Sequence, residues 1–221
     1  MERQREELRE ILKVYVITDP QLSLGRSHEE VVALAIQGGC KAVQLRDKNA
    51  STRKLVQAAK AIREITAATG TLFIVNDRVD VAMAVGADGV HLGQDDLPLE
   101  AARKILGESK VIGISVETPE EAMLAEAYGA DYLGVGPVFP TSTKPDAGPV
   151  YGPDIVARIR EVTSLPIVAI GGINTANLPQ VAQAGADGVA VVSAVVSKPD
   201  VAEAVRELLR CWETVKGVKV T

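Results

Sequence analysis

With 221 residues and 47% apolar side chains, the chain can bury a substantial core and fits one barrel-sized domain better than two small ones. A net charge of -5 excludes general attraction to nucleic acid or anionic membranes. Two cysteines and two histidines exclude a disulfide framework, a zinc motif or a His-rich metal site.

Residues 1–13 read as an additional helix with Leu8, Ile11 and Leu12 on one side, packing on the outside or base of the domain or serving as an interaction segment. The first ten residues are dense in charge and lack the apolar centre of a signal peptide. No apolar run reaches membrane-spanning length, so a reducing, cytoplasmic setting is expected. From residue 14 onward, short apolar runs alternate with stretches of helical period. The first strand is expected at Val14–Thr18, with a helix at His28–Gln37. Strands at Ala42–Arg46, Leu72–Asn76 and Gly89–Leu92 follow, separated by helices at Thr52–Thr69 and Arg78–Val85. A helix at Pro98–Leu106 leads to a strand at Val111–Val116, and one at Pro119–Tyr128 to a strand at Tyr132–Gly136. Asp154–Val162, the strand Pro166–Ile170, Thr175–Ala184, the strand Gly188–Ser193 and a last helix at Asp200–Val215 complete the series. Residues 216–221 form a tail. Eight strand–helix pairs in a chain of this length predict a closed (β/α)8 TIM barrel with an extra N-terminal helix, 14–215 being the barrel. Aromatic residues are only 3%, so aliphatic side chains must fill it.

A short pattern recurs where helices give way to strands: Gly86-Ala87-Asp88, Gly129-Ala130-Asp131 and Gly185-Ala186-Asp187, with a looser copy at Gly38-Gly39-Cys40-Lys41. Glycine suits the left-handed position after a helix, and these turns belong to the rim away from the chemistry. The three aspartates are therefore read as structural. Cys40, in one of these turns, is read as inert.

Polar side chains gather where the apolar runs end, the rim where such barrels carry their chemistry. Gln44 and Arg46 share a strand face, and Arg46 and Lys48 combine a planar fork of donors with a compact charge, which suits phosphate oxygens. The competing reading is a surface pair balanced by Asp47. Asp77, after Asn76, and Asp96 close neighbouring strands and offer hard oxygen ligands for Mg²⁺; alternatively each caps the following helix, and Asp95 rivals Asp96. The loop 139–149 carries Thr141, Ser142, Thr143 and Lys144 and is either a substrate loop or simply solvated. Gly171-Gly172 and Ser193 end the last two strands, where barrels commonly hold a phosphate on backbone N–H groups and a short helix start. His91, inside a strand, reads as a packed, hydrogen-bonded histidine, and His28 has no visible chemical partner. Three cations and two carboxylates would balance about three negative charges of a pyrophosphate ester only with a divalent cation added. Two anion pockets on one rim suggest a transferase joining two phosphorylated small molecules.

Six signatures in order, Tyr15-Val16-Ile17-Thr18-Asp19, Gln44-Leu45-Arg46-Asp47-Lys48, Asn76-Asp77-Arg78, Gly89 to Asp96, Gly134 to Lys144 and Ala169 to Ile173, resemble the thiamine-phosphate synthase family over 14–199. The resemblance implies a Mg²⁺-dependent enzyme of thiamine biosynthesis. It would condense 4-amino-5-hydroxymethyl-2-methylpyrimidine pyrophosphate with 4-methyl-5-(2-phosphooxyethyl)thiazole, or its carboxylated form, to thiamine phosphate and pyrophosphate. It implies pyrimidine pyrophosphate contacts from Gln44, Arg46, Lys48, Asn76, Ser115 and Lys144, of which Arg46, Lys48, Ser115 and Lys144 would act in the reaction. Asp77 and Asp96 would hold the metal, and Thr141, Thr143, Gly172, Val192 and Ser193 the thiazole phosphate. It further implies dissociative loss of pyrophosphate, with the thiazole nitrogen attacking a pyrimidine carbocation, so that no protein nucleophile is needed. Asp47 stands where the family often has Glu. Small-molecule substrates are the expected partners, with no nucleic acid and no membrane, and a homo-oligomer is compatible. The rival readings are a thiazole tautomerase on the same barrel, a non-catalytic phosphate-ligand sensor and a sugar-phosphate epimerase.

Overall fold

Eight parallel strands close on themselves in sequence order, β1 pairing with both β2 and β8. The computed structural model describes residues 2–141, 143 and 148–217. The strands are β1 (Val14–Ile17), β2 (Ala42–Leu45), β3 (Leu72–Asn76), β4 (Gly89–Leu92), β5 (Val111–Val116), β6 (Tyr132–Val135), β7 (Ile167–Ile170) and β8 (Gly188–Val191). α1 (Glu2–Ile11) precedes them, and α2 (His28–Gln37), α3 (Thr52–Thr69), α4 (Val79–Val85) and α5 (Leu99–Leu106) follow β1 to β4. α6 (Pro119–Ala127), α7 (Asp154–Arg160) and α8 (Leu178–Gln183) follow β5 to β7; the short α9 (Ser193–Val196) and α10 (Val201–Val215) follow β8. The (β/α)8 barrel with an extra N-terminal helix is thus as expected. Among the described residues no helix is long and apolar enough to cross a membrane.

Local chemistry explains the helix starts. Ser27 and Glu30 form a reciprocal capping box before α2, while Ser51, Thr118 and Asp200 accept the first free amides of α3, α6 and α10. α8 begins three residues later than the periodicity suggested. The Asn174 and Asn177 side chains bind loop backbone groups there and hold 174–177 in turns. The last strand also ends earlier, at Val191, so that Ser193 opens α9 instead of closing β8.

Two apolar cores follow from the period of two along each strand. Outward residues such as Val43, Phe73, Val90, Ile112 and Leu133 pack against the helices. The barrel interior is a smaller cluster of Tyr15, Ile17, Ala42, Ile74, Tyr132, Val168 and Ala190. Leu12 joins it from below, with Leu8 and Ile11 of α1 against it, so the N-terminal helix closes the base of the barrel. Gly188 permits this closure: a Cβ there would lie 1.9 Å from the Leu12 carbonyl oxygen.

The recurring aspartates have a shared structural task. Asp88, Asp131 and Asp187 accept the backbone N–H of Phe73, Ile112 and Ile167, at 2.8, 2.7 and 2.8 Å, tying the entry turns of β4, β6 and β8 each to the strand before it. Each also meets an arginine of a nearby helix. Arg103 and Arg160 bond Asp131 and Asp187 at 2.7 and 3.0 Å, and Arg63 lies 2.9 Å from Asp88 in a charge contact rather than a linear hydrogen bond. Asp187→Ala removes the acceptor of the Ile167 amide and of Arg160 Nη1, while Arg160 Nη2 keeps the Thr163 and Leu165 carbonyls. It is expected to cost about 2–4 kcal/mol in urea denaturation, with native far-UV ellipticity unchanged. A loss below about 0.5 kcal/mol would show the latch to be ornamental.

Candidate active site

β2 delivers the first polar group to the upper rim. Gln44 is buried, and its Nε2 donates to Tyr15 Oη at 2.7 Å. Arg46, one residue past the strand, is held at both ends. Its backbone N–H donates to Thr18 Oγ1 at 3.1 Å, and its guanidinium Nη1 lies 3.6 Å from Asp19 Oδ2. Asp19 in turn accepts the N–H groups of Gln21 and Leu22 on Oδ1. Lys48, half exposed, approaches Asp77 Oδ2 at 3.8 Å. Both ion pairs are long, so the two cations keep donor capacity for an incoming anion. The simple surface pair with Asp47 is not what forms. Asp47 faces the other way, accepting the Asn49 and Ala50 amides and sitting 3.4 Å from His28 Nε2.

The acidic pair is placed by backbone geometry. Asp77 adopts φ 60°, a conformation rare outside glycine and asparagine, while its N–H donates to the His91 carbonyl. Asp96 Oδ2 accepts the Gly93 amide at 2.7 Å. Neither caps a helix: α4 and α5 start after Arg78 and Pro98 with no side-chain cap. Asp96 and Asp77 line one cavity, whereas Asp95 is exposed and outside it. Burial, then hydrogen bonding to Asp96 and its charge, push the Asp77 carboxyl up to about 6 from the usual 3.8; Lys48 and Arg46 pull the other way. Two carboxylates that hold each other's proton suit a divalent cation. Among the described residues no group of three or more His, Cys, Asp or Glu gathers, so the pair would share its ion with water and substrate oxygens.

The raised Asp77 value fixes a sign. Its folded pKa lies above its unfolded one, so its contribution to stability is complete below about pH 4 and is lost as pH rises through about 6. Metal-free protein should therefore be less stable at pH 8 than at pH 5 by about 1–1.5 kcal/mol from this group. Asp77→Asn should remove that share of the slope, and Mg²⁺ should raise the melting temperature more at pH 8 than at pH 5. An identical slope in Asp77→Asn would contradict the coupling.

Beneath the ions runs a hydrogen-bonded chain that sequence reasoning passed over. Tyr15 Oη and Tyr132 Oη are 3.1 Å apart, His91 Nδ1 is 2.9 Å from Tyr132 Oη, and His91 Nε2 is 2.9 Å from Ser115 Oγ. With Gln44 it crosses from β2 through β1, β6 and β4 to β5. Burial pushes both phenols well above their usual range, so they stay neutral. Glycines make room for the rings: a Cβ on Gly113 would meet Tyr132 Cζ at 2.1 Å, and one on Gly134 would meet His91 Cε1 at 2.9 Å. Two strand tyrosines in so aromatic-poor a chain were the available signal. His91 is hydrogen-bonded, as expected, yet it also faces the cavity.

Two cavities open on the rim. One, of about 110 Å³, is lined by Gln44, Arg46, Lys48, Asn76, Asp77 and Asp96 above the Tyr15–Tyr132–His91 floor. The other, of about 140 Å³, is lined by Thr141, Thr143, Gly171, Gly172, Val192 and Ser193. Arg46 and Ser115 belong to both and, with Ile17, Gly134, Ile170 and Ala190, form their common wall. Lys144 and Ser142 lie outside the described residues. The glycine pair has a packing reason that requires no ligand, since a Cβ on Gly172 would meet the Pro140 carbonyl oxygen at 2.3 Å. Glu117, unremarked in the sequence, is the carboxylate of the second cavity among the described residues, and its Oε2 accepts from Tyr151 Oη at 2.5 Å.

The family model described as "Thiamine monophosphate synthase" matches residues 14–195. The chain is 54% identical over 194 residues to a thiamine-phosphate synthase of Methanospirillum hungatei, covering 88% of this chain and 94% of that one. It is 55% identical to one of Chloroflexus aurantiacus, over 89% and 90% of the two chains. The solved structure of thiamine phosphate pyrophosphorylase from Pyrococcus furiosus superposes with a TM-score of 0.86 at 46% identity, covering 94% of this chain and 98% of that one.

Proposed function

The chain belongs to the thiamine monophosphate synthase family, and we propose that its two rim cavities divide the substrates of that reaction between them. It is a transferase of thiamine biosynthesis, forming thiamine phosphate by condensation. The cavity of cations and paired carboxylates takes the 4-amino-5-hydroxymethyl-2-methylpyrimidine pyrophosphate. The hydroxyl- and glycine-lined cavity takes the 4-methyl-5-(2-phosphooxyethyl)thiazole. The observation that supports this division is the shared wall around Arg46 and Ser115, which brings two cavities of different polar lining edge to edge.

Asp77 and Asp96 are the residues to hold Mg²⁺, and the cost of a buried Asp77 charge beside Asp96 without a cation supports the fit. The bound ion would neutralise charge developing on the departing pyrophosphate. Arg46 and Lys48 supply fixed donors to the same oxygens, with Lys144 as a third cation. Asn76 and Gln44 orient the pyrimidine end, and the hydrogen-bonded Tyr15–Tyr132–His91–Ser115 chain gives it a floor. Thr141, Thr143, Gly172, Val192 and Ser193 hold the second phosphate and aim the thiazole nitrogen across the common wall. Pyrophosphate leaves first, and the pyrimidine cation is then captured. Positioning and charge stabilisation suffice for such a step, and no protein nucleophile is required.

Incubating the protein with both substrates and Mg²⁺, and following thiamine phosphate and pyrophosphate by chromatography, tests the proposal. One product of each per turnover is expected. Binding without turnover points to a sensor, and isomerisation of a thiazole alone to a tautomerase; either result ends it.

A further inference from the structure

His28 lies outside both cavities, near the N-terminal end of α2, but it is not the partnerless residue that the sequence suggested. Its Nδ1 is 2.9 Å from Thr18 Oγ1 and its Nε2 is 3.4 Å from Asp47 Oδ2. These two partners bracket Arg46. Thr18 Oγ1 accepts the Arg46 backbone N–H at 3.1 Å. Asp47 lies between Arg46 and Lys48 in the chain, and its other oxygen accepts the Asn49 and Ala50 amides, both at 3.0 Å. The carboxylate can only accept, so in the neutral ring the proton sits on Nε2 and Nδ1 receives the Thr18 hydroxyl hydrogen. That orientation turns the Thr18 oxygen's lone pair to the Arg46 amide. Thr18 is completely shut off from water, so solvent cannot easily replace its lost partner, whereas His28 and Asp47 border an open cavity where water can stand in.

We propose that His28 is a positioning residue for the diphosphate cavity, acting through the Thr18 hydroxyl on the Arg46 backbone and through Asp47 on the segment that carries Lys48. The Thr18 arm dominates, because 2.9 Å is a full hydrogen bond and 3.4 Å is at the limit of one. The inference rests on the assignment of pyrophosphate to the cavity containing Arg46 and Lys48. It predicts an asymmetric defect: recognition of the diphosphate loosens, while the far side of the thiazole phosphate cavity, where Gly171 and Gly172 follow β7 and Ser193 opens α9, keeps its geometry although Arg46 lines the near side.

The test compares wild type, His28→Ala, His28→Asn and His28→Gln. Calorimetric binding of inorganic pyrophosphate with Mg²⁺ and steady-state KM for each substrate are the readouts. His28→Ala should weaken pyrophosphate binding about tenfold and raise the pyrimidine pyrophosphate KM by a similar factor, with the thiazole phosphate KM within twofold of wild type. In His28→Asn the side-chain carbonyl can take the place of Nδ1 and recover most of the affinity; His28→Gln, which reaches towards Asp47 instead, should recover less. Unchanged pyrophosphate binding in folded His28→Ala, a parallel rise in both KM values, or Gln matching or exceeding Asn overturns the proposal. If His28→Ala does not fold, the order of Asn and Gln decides alone. Failure of the wild type itself to bind pyrophosphate with Mg²⁺ would instead remove the cavity assignment beneath it.

Discussion

Arg46→Ala is expected to lower kcat/KM by about 10²–10³ while the protein stays folded, the scale seen when one preorganised donor to a developing charge is lost. Among the described residues Arg46 is the one cation shared by both cavities, so on the proposed division its guanidinium would sit where the departing pyrophosphate and the incoming thiazole meet. Its structural role is slight by comparison. The ion pair with Asp19 spans 3.6 Å, and Asp19 keeps two backbone amides after the arginine is gone, so no buried carboxylate is left unsatisfied. The Arg46 amide's bond to Thr18 is independent of the side chain and survives the substitution. Stability should therefore fall by no more than about 1 kcal/mol. Arg46→Lys should recover only part of the rate, because a single ammonium cannot reproduce the planar fork. Steady-state kinetics beside thermal melts check both statements; a rate loss below about fivefold would move Arg46 out of the reaction.

The second large effect combines opposite signs. Asp77→Asn should lower activity on the order of 10²-fold or more and shift the Mg²⁺ requirement upward, since losing even an outer partner of a metal site commonly costs about 10–100-fold. The same substitution should make the metal-free protein more stable at neutral pH, because it ends the cost of burying a charge, added to by the Asp96 carboxylate, that holds the Asp77 carboxyl near 6. Asparagine is well chosen here, as it tolerates the φ of 60° at this position. A residue kept for architecture would lose stability and activity together. Gain of one with loss of the other, read from Mg²⁺ titrations of rate and from melts in chelator, marks a site that sacrifices stability for ligand binding.

Much of this molecule could be read from the chain because each feature had a local cause. Aliphatic runs bounded by glycine turns located all eight strands, and β3, β4 and β5 begin and end where the periodicity put them. Polar residues at the ends of those runs were expected to share a rim. Gln44, Arg46, Lys48, Asn76, Asp77 and Asp96 line one cavity there, and Thr141, Thr143, Gly172, Val192 and Ser193 line the other. Contacts between strands distant in sequence had no such signal. Nothing adjacent to His28 announces Thr18 or Asp47, and the Tyr15–Tyr132 pair joins residues 117 positions apart. The helix-cap alternative for Asp77 and Asp96 was locally reasonable and failed for a reason of phase. The helices begin at Val79 and Leu99, beyond reach of a cap from either residue.

The arginine–aspartate latches on the lower rim have a consequence for how the chain reaches its native state. Arg103 to Asp131 closes a span of 28 residues and Arg160 to Asp187 one of 27, so each can form within a single quarter-turn of the barrel at modest loop-closure cost. The seam between β1 and β8 joins the two ends of the chain and carries a far larger topological penalty. Arg9 of α1 reaches Asp187 at 3.4 Å, and the same helix binds Ser164 through Arg5 and Arg9. The N-terminal helix thus bolts the seam from the side opposite the substrates. Trimming it should speed unfolding more than it slows folding, leaving the quarter-turns to assemble into a barrel that springs open.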